Sequence, residues 1–480
     1  MPTSAHYRPD PRILSLGEGF FDVVQAASFP KRILRFRNQR WAERVGLGEL
    51  TAEAWESHLA RFEPLPDNLD RPLALRYHGH QFGVYNARLG DGRGFLYAQL
   101  RDAGAGPDDP ERGRLLDLGT KGSGQTPWSR GGDGRLTLKG GVREVLATEM
   151  LEALGVYTSK SFSLFETGES LFRNDEPSPT RASVLVRLSH SHIRFGSFQR
   201  HAHHRDSKKL QELLDFSVES YMPGVKDGRG PLPVAFLREV ATRAAALCAS
   251  YMVAGFVHGV LNTDNMNITG ESFDYGPYRF LPDYDPAFTA AYFDHSGLYA
   301  FGRQPRTFMW NLAQLAEALS PLAPDTEFAP ALRAFEPALV KTLHERFLRR
   351  LGLTSAGTDD DNVLIDTCYT FLQESRVGYD RFFFDWYGGL ASAERARKSP
   401  AAAKYSGERF EALERLLGRY APARKELLDH PYFQGDAPCS LLIDEIEAIW
   451  EHIAERDDWS AFEEKIRRIR DFGALFNGAW

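Results

Sequence analysis

Cysteine is scarce in this sequence, long apolar runs are missing and positive charge is not in excess. The three cysteines, Cys248, Cys368 and Cys439, form no Cys-x-x-Cys pair, which argues against a disulfide scaffold and against a cysteine-built zinc site. No stretch of about 18 apolar residues could serve as a membrane span. The formal net charge of −7 gives no global basic field that would attract nucleic acid or an anionic membrane.

The composition is otherwise that of a globular protein, with 42% hydrophobic and 26% charged residues in a chain of 480. Residues Met1 to Asp10 are polar and contain proline, with no apolar run that would serve as a signal peptide. We therefore expect a reduced, cytoplasmic protein with neither a nucleic-acid nor a membrane partner.

The order of the predicted elements indicates an α+β fold. Residues 74–190 are rich in short strands, and the glycine-rich run Leu89 to Gly94 predicts a hairpin between Val84-Tyr85 and the strand that starts at Phe95. The apolar spacing of Val142 to Leu154 predicts a helix. Beyond residue 190 the pattern becomes helical. Strands first and helices later, with one helix among the strands, is the order of a two-lobed protein-kinase-like fold.

The most informative stretch is Phe256 to Ile268, which is followed by Phe273-Asp-Tyr-Gly276. A polar loop and a short hairpin would bring Asn265 and Asp274 together from opposite ends of the hairpin. An amide oxygen and a carboxylate are hard ligands that can hold Mg²⁺ against the phosphates of ATP. The alternative is a surface loop in which Asn and Asp serve only as turn residues.

This stretch departs from the phosphotransferase pattern at one position. Such enzymes carry a catalytic Asp two residues after a histidine, but this chain has Val260 two residues after His258. A valine can neither accept a proton nor bind a metal. The nearby carboxylate in the loop is Asp264, beside Asn265, and it is our candidate for the general base.

A second constellation is Asp117 to Arg130, followed by Gly132-Asp-Gly-Arg135. Lys121 ends a predicted strand and precedes a predicted helix, as a lysine does when it binds nucleotide phosphates and pairs with a helix carboxylate. Glu144 and Glu149 both lie on that helix. The helical wheel places Glu149 within the apolar stripe and Glu144 opposite, whereas the spacing in the family that this segment resembles favours Glu144, so both remain candidates.

Arginines and histidines cluster in a third segment. Arg187 and Arg194, seven residues apart, are suited to binding phosphates, and the alternative is a solvated basic surface. The histidines are His190, His192, His201, His203 and His204. Because no well-spaced carboxylate accompanies them, they indicate a metal site only weakly.

Together these motifs closely resemble the selenoprotein O family of pseudokinases over residues 70–375. The matching segments are Tyr77-His-Gly-His-Gln-Phe-Gly83, Lys121-Gly-Ser-Gly-Gln-Thr-Pro-Trp-Ser-Arg130, Gly132 to Arg135, His258 to Met266, Asp274-Tyr-Gly-Pro277 and Phe293 to Pro305. Many family members carry a Cys or selenocysteine near the C-terminus, but this sequence ends Phe476-Asn-Gly-Ala-Trp480, which puts a redox role in doubt here.

The resemblance implies a protein adenylyltransferase that uses ATP and Mg²⁺ or Mn²⁺ to place AMP on exposed Ser, Thr or Tyr hydroxyls of protein substrates. ATP would be inverted relative to an ordinary kinase, with its γ-phosphate buried among basic residues. Asp264 would be the proton acceptor, and Asn265 and Asp274 would bind the metal, with Asp274 also near ATP. The implied nucleotide contacts are Gly90, Gly92, Arg93, Lys121, Asp133, Gly134, Arg187 and Arg194.

On this interpretation the chain divides into four parts. An N-terminal extension covers 1–73, a strand-rich nucleotide-binding N-lobe covers 74–190, a mostly helical C-lobe with the catalytic loop covers 191–380, and a helical C-terminal extension covers 381–480. Two other functions remain open. One is an atypical ATP-dependent phosphotransferase with Asp264 as a substitute base, and the other is an inactive ATP-binding scaffold.

Overall fold

The computed structural model describes residues 4–106, 109–228, 230–324 and 327–476, so the expectation about residues 477–480 lies outside the described residues. The fold is mixed α/β with an antiparallel main sheet, which agrees with the predicted α+β class. The first ten strands are β1 (Phe21–Val23), β2 (Ile33–Arg37), β3 (Leu73–Leu75), β4 (Gly79–Gln81), β5 (Val84–Asn86), β6 (Leu96–Arg101), β7 (Leu115–Lys121), β8 (Leu136–Thr137), β9 (Lys160–Leu171) and β10 (Thr180–Ser189). The main sheet has the order β1-β3-β6-β7-β10-β9-β2, with β8 paired to β10, and β4 and β5 form a separate hairpin.

The first 73 residues contribute to both edges of this sheet. β1 pairs with β3 at one edge, and β2 pairs with β9 at the other. Two short helices, α1 (Gln39–Arg44) and α2 (Ala52–Leu59), bury Trp41 and Trp55 in a core against the sheet. The segment predicted as an N-terminal extension is therefore tied to the strand-rich region by backbone hydrogen bonds.

The predicted helix among the strands is α3 (Leu138–Ala153). It begins four residues before the predicted start because the Thr137 hydroxyl caps it by accepting a hydrogen bond from the Gly140 N–H. α3 packs against β9 and β10 on one side. The helices α14 (Ile443–Arg456) and α15 (Ser460–Leu475) return from the end of the chain and pack against α3 as well.

The remaining helices form the second half of the molecule, in agreement with the helical pattern predicted beyond residue 190. They are α4 (Phe195–His203), α5 (Ser207–Tyr221), α6 (Leu232–Ala254), α7 (Gln304–Leu319), α8 (Phe328–Leu332), α9 (Phe335–Leu351), α10 (Thr358–Ser375), α11 (Tyr379–Asp385), α12 (Ala393–Lys398) and α13 (Glu408–Leu417). The long α6 packs against α7, α8 and α9. It ends at Gly255, in the left-handed conformation, and leads into the short hairpin of β11 (Phe256–Val257) and β12 (Arg279–Phe280).

The predicted hairpin around Leu89 to Gly94 is wrong. β5 pairs back with β4, while β6 pairs with β3 and β7, so the glycine-rich run is a loop between strands of different sheets. The turn that the sequence does form is Gln81 to Val84. Turn composition marks where a chain reverses but not which strands then pair, because pairing depends on contacts distant in sequence.

Among the described residues no helix has both the length and the apolar character needed to cross a bilayer. Cys248, Cys368 and Cys439 are buried free thiols, as the absence of a disulfide scaffold predicts.

Candidate active site

A cleft with a volume of about 1030 Å³ lies where the sheet, the glycine-rich loops and the segment after α6 meet. Every residue that the sequence analysis assigned to catalysis, metal or nucleotide lines this cleft. They are Gly90, Gly92, Arg93, Lys121, Asp133, Gly134, Arg187, Arg194, Asp264, Asn265 and Asp274. The chain positions of these residues span 185 residues, so the fold brings together motifs that the sequence leaves far apart.

Lys121, at the end of β7, is bound by two carboxylates. Its Nζ lies 2.6 Å from Glu144 Oε2 and 2.7 Å from Asp274 Oδ1. The partner that spacing favoured, Glu144, is therefore the one observed. Glu149 is also buried, but α15 covers it and Arg470 binds its carboxylate. The helical wheel could not identify the partner of Lys121 because α3 is buried on more than one side, and both glutamates are buried.

Asp274 adopts a left-handed backbone conformation, with φ of 64°, which is uncommon for residues other than glycine. Its Oδ1 contacts both Lys121 Nζ and, at 3.2 Å, Arg187 Nη1. Although burial alone would raise the pKa of Asp274, Lys121 and Arg187 hold this pKa well below its usual value. Asp274 is therefore an ionised carboxylate that lines the cleft and can offer an oxygen as a ligand.

Arg187 and Arg194 are buried rather than solvated, so the alternative of a basic surface is wrong. Arg187 Nη1 lies 3.1 Å from Glu144 Oε1. Arg194 donates to the Asp264 backbone carbonyl at 2.8 Å, and its guanidinium lies 4.4 Å from the ring centre of Tyr77. Arg187 shares Glu144 and Asp274 with Lys121, and Arg194 pairs with Asp91, so the three cations are fixed by carboxylates. Buried guanidinium groups held in this way are suited to binding phosphate oxygens.

Asp264 and Asn265 lie in a single 3-10 turn, Thr263–Asn265. Gln81 Nε2 lies 3.4 Å from Asp264 Oδ2, whereas the buried Oδ1 finds no hydrogen-bond partner among the described residues. Burial raises the pKa of Asp264 to about 6. Asn265 uses its amide nitrogen to bind the Val260 carbonyl at 2.8 Å, so its amide oxygen is the atom that can act as a ligand.

The glycines keep two loops close together at the mouth of the cleft. A Cβ added to Gly90 would lie 2.4 Å from Trp128 Cγ. Gly134 has a positive φ of 68°, and a Cβ there would lie 2.2 Å from the Gly124 carbonyl carbon. Asp133 is held by Arg173 at 2.8 Å. Side chains larger than hydrogen at Gly90 or Gly134 would push the loops apart.

Several lining residues were not assigned a role from sequence. Asp91 is buried, accepts from the Leu75 N–H at 3.0 Å and lies 3.4 Å from Arg194 Nη2. The hairpin of β4 and β5 also contacts the segment 262–264, because the Phe82 N–H donates to Asn262 Oδ1 at 3.1 Å. Tyr77 to Gly83 is one of the segments that carry the family resemblance, which marked it as a candidate part of the site. The sequence could not predict that this segment contacts residues 262–264.

The histidines do not form a metal site. The described residues include no group of three or more His, Cys, Asp or Glu side chains that could hold a metal ion. His192 Nδ1 instead lies 3.1 Å from Asp117 Oδ2, and burial lowers the pKa of His190 well below its usual value. His190, His192 and His201 are buried, whereas His203 and His204 are exposed.

The cleft, lined by buried cations, carboxylates and glycine-rich loops, is the candidate active site. The chain belongs to the family described as protein adenylyltransferase SelO, whose model matches residues 3–470. It is 43% identical to a protein nucleotidyltransferase YdiU of Synechocystis over 96% of this chain and 97% of the relative. Identity to the protein of that name from Gloeobacter violaceus is 44%, over 96% and 94%. The one from Vibrio vulnificus is 37% identical over 68% of each chain.

These comparisons confirm the family resemblance that the motifs indicated. The protein is an enzyme of the nucleotidyltransferase class that acts on proteins.

Proposed function

We propose that the enzyme transfers AMP from ATP to Ser, Thr or Tyr hydroxyls of its protein substrates and releases pyrophosphate. The observation that carries this proposal is the juxtaposition in one cleft of three buried cations, Lys121, Arg187 and Arg194, with a buried carboxylate oxygen of Asp264 that has no hydrogen-bond partner in the described part of the chain. The cations suit a polyphosphate, and the free oxygen suits an incoming hydroxyl.

The proposed architecture is a two-lobed kinase-like fold. Its support is the strand-borne Lys121 paired with Glu144 of the helix that lies among the strands, and Asp274, which lies in the segment between β11 and β12. The segments on either side of Gly270 do not pair with each other as predicted, because Asn267 bridges to Arg194 and Ser272 bridges to Thr158. We assign the nucleotide-binding lobe to 74–190, the catalytic lobe to 191–380, and the extensions to 1–73 and 381–480.

ATP would enter inverted relative to an ordinary kinase. Lys121, Arg187 and Arg194 are the buried cations of the cleft, whereas Arg93 and Arg130 are exposed, so we place the β- and γ-phosphates on the three buried ones. The α-phosphorus would then face Asp264. Gly90, Gly92, Arg93, Asp133 and Gly134, on the loops at the mouth, would contact the rest of the nucleotide.

The donor set fits a hard divalent cation. Asn265 offers an amide oxygen and Asp274 a carboxylate, and Mg²⁺ in such enzymes takes few protein ligands and completes its shell with phosphate oxygens and water. Mn²⁺ accepts the same oxygen donors. When bound, the ion would neutralise charge on the phosphates, and Asn265 and Asp274 would hold it.

In the proposed reaction the substrate hydroxyl oxygen attacks the α-phosphorus. The bond from that phosphorus to the oxygen bridging to the β-phosphate breaks, and pyrophosphate leaves with the electron pair. Asp264 accepts the hydroxyl proton, while Arg187, Arg194 and Lys121 stabilise the charge on the departing pyrophosphate. A positioned base of this kind typically contributes about 10²–10⁴-fold to the rate.

Two labelling reactions test the proposal. Label from α-³²P-ATP should appear on acceptor protein, with an AMP adduct in its mass spectrum, whereas γ-³²P-ATP should leave the protein unlabelled. Transfer of the γ-label would identify a phosphotransferase instead. ATP binding without transfer of either label would identify a scaffold.

A further inference from the structure

A group of exposed apolar side chains borders the mouth of the active-site cleft. We call it the aromatic rim: Phe82, Val84, Tyr292, Phe293 and Trp310. Val84 is 70% exposed and Tyr292 is 76% exposed. Contiguous exposed apolar patches are uncommon on proteins that bind nothing there, and they mark interaction sites more often than scattered single residues do.

The rim is contiguous rather than scattered. The rings of Tyr292 and Phe293 lie 5.1 Å apart, those of Phe293 and Phe82 lie 5.8 Å apart, and Val84 closes the same turn as Phe82. On the other side of the β4–β5 hairpin, His80 contacts Trp310 of α7 at 5.2 Å. The hairpin and the segment 292–293 therefore form one surface, and α7 adjoins the hairpin through the contact of Trp310 with His80.

Phe82 breaks two local rules at once. It is an exposed phenylalanine, and it occupies a turn position where φ is 50°, with Gly83 at 75° behind it. Two successive positive φ values define a turn in which Asn or Asp before Gly is favoured and bulky residues are strained. Backbone strain persists where the surrounding structure enforces it, and it concentrates at functional sites.

Hydrogen bonds and close contacts hold this turn against the segment 262–264, which contains the proposed base Asp264. The Phe82 N–H donates to Asn262, the neighbouring Gln81 lies 3.4 Å from Asp264, and the His80 N–H donates to Thr263 Oγ1 at 2.7 Å. Phe82 and Phe293 also line the cleft that contains Asp264. A segment seated on the rim would thus present its neighbouring residues to that carboxylate.

We propose that the aromatic rim docks the acceptor protein and selects a segment that carries apolar or aromatic side chains next to the acceptor hydroxyl. This inference rests on the proposed function, since an acceptor protein must reach Asp264. The rim side chains are apolar and pack against one another, so the rim offers no polar partner to a charged side chain. It would therefore favour a substrate segment with apolar residues beside the acceptor hydroxyl over one with charged residues there. Charged side chains at the rim positions would instead have favoured a substrate segment with charged flanking residues.

The test uses two acceptor peptides that share one hydroxyl residue and differ in its flanks, which are leucine and phenylalanine in one and serine in the other. Transfer from α-³²P-ATP is measured with the parent enzyme, with Val84→Ser/Tyr292→Ser, and with Val340→Ser/Val363→Ser as a control on α9 and α10. Removing interface anchors commonly costs about fivefold or more in affinity. The rim variant should raise KM for the apolar-flanked peptide by at least about fivefold, with kcat and ATP affinity kept.

Each other outcome has a definite meaning. If the parent labels both peptides with equal KM, or if the control variant loses as much as the rim variant, the docking proposal fails while AMP transfer stands. If the rim variant instead converts a dimer into a monomer in sedimentation and keeps its peptide KM, the rim is a contact between copies and the proposal is overturned. If the parent labels no acceptor at all, the proposed function fails first and the docking proposal falls with it.

Discussion

Arg470 of α15 donates two hydrogen bonds of 2.8 Å to the carboxylate of Glu149 in α3. The two residues are 321 positions apart in the chain, yet this pair ties the C-terminal helix to the helix that carries Glu144. A second ion pair, Lys139 with Glu447 at 2.6 Å, joins α3 to α14. The C-terminal helices thus hold the helix that supports Lys121.

Replacing Arg470 should weaken the fold. In Arg470→Met the buried Glu149 carboxylate would lose its charged partner, and an uncompensated buried charge is costly. Because Arg470 itself is partly exposed, we expect a loss of roughly 1–3 kcal/mol in the free energy of unfolding, measured by urea titration. Arg467→Met is the control, since Arg467 is an exposed residue of the same helix with exposed partners. Equal stability of the two variants would contradict a role for the pair.

The contrast between Glu144 and Glu149 shows what sequence alone could predict. Asp264, Asn265 and Asp274 lie within one short stretch, so the local pattern could predict that they come together in one cleft. The partner of Glu149 lies in a helix more than 300 residues away, and the wheel of α3 cannot reveal that α15 covers it. Helix burial on several sides is a property of tertiary packing.

The prediction of strand pairing near Leu89 was wrong for a related reason. The run of glycines near Leu89 has the composition of a turn, but β5 pairs with β4 and β6 pairs with β7. Gly90 and Gly92 are required by the close approach of Trp128, which is a contact between loops. The composition therefore correctly predicted an irregular segment, but the prediction that the strands on either side of it pair with each other was wrong.

The proposed phosphate contacts predict a preference for ATP over AMP. Arg187→Gln and Arg194→Gln should each lose a charge-assisted contact, which typically costs roughly 1.5–3 kcal/mol, or about ten- to a hundredfold in ATP affinity. The affinity for AMP should change much less. Arg238→Gln, at an exposed position of α6, is the control. Parent-like ATP affinity in both variants, measured by calorimetry, would remove the arginines from the site.

The proposed metal contacts predict a magnesium-dependent defect. Asp274→Asn keeps the size of the side chain and removes its charge, so turnover should be abolished and nucleotide binding should lose its dependence on Mg²⁺. Chelation with EDTA should reduce ATP affinity of the parent and leave that of the variant nearly unchanged. Parent-like transfer by the variant at low millimolar Mg²⁺ would be incompatible with this assignment.

Glu271 predicts a pH dependence of stability. Burial raises its pKa to about 8, and its Oε2 accepts a hydrogen bond from the His190 N–H at 2.9 Å. Since the folded state binds this proton more tightly than the unfolded state does, its contribution to stability is present at low pH and is lost as pH rises toward 8. The loss between pH 6 and 8 is on the order of 2 kcal/mol.

The matched variant is Glu271→Gln, which retains an oxygen that can accept from the His190 N–H. Because a glutamine does not titrate, the variant lacks this contribution to the pH dependence of unfolding. The free energy of unfolding of the parent should therefore fall relative to that of the variant as pH rises from 6 to 8, measured by urea titration. A constant difference between the two proteins across this range would show that Glu271 does not titrate as its burial predicts.

The proposed base gives the sharpest prediction. Asp264→Asn preserves the shape of the side chain and its contact with Gln81 but cannot accept a proton. AMP transfer should fall by about 10²–10⁴-fold, while Mg-ATP binding should persist. Because burial raises the pKa of Asp264 to about 6, the carboxylate form accumulates as pH rises through that value, and transfer by the parent should rise with it.

Measuring binding and transfer on the same variant separates two roles for Asp264. A base touches the hydroxyl and leaves the affinity for metal and nucleotide alone, so only the rate should fall. A group that merely orients Asn265 would weaken the metal site, and affinity and rate should then fall together. The buried Asp264 Oδ1, which has no partner among the described residues, argues for the first role, because an orienting carboxylate would spend its oxygens on its neighbours. Transfer at the parental rate by Asp264→Asn would exclude both.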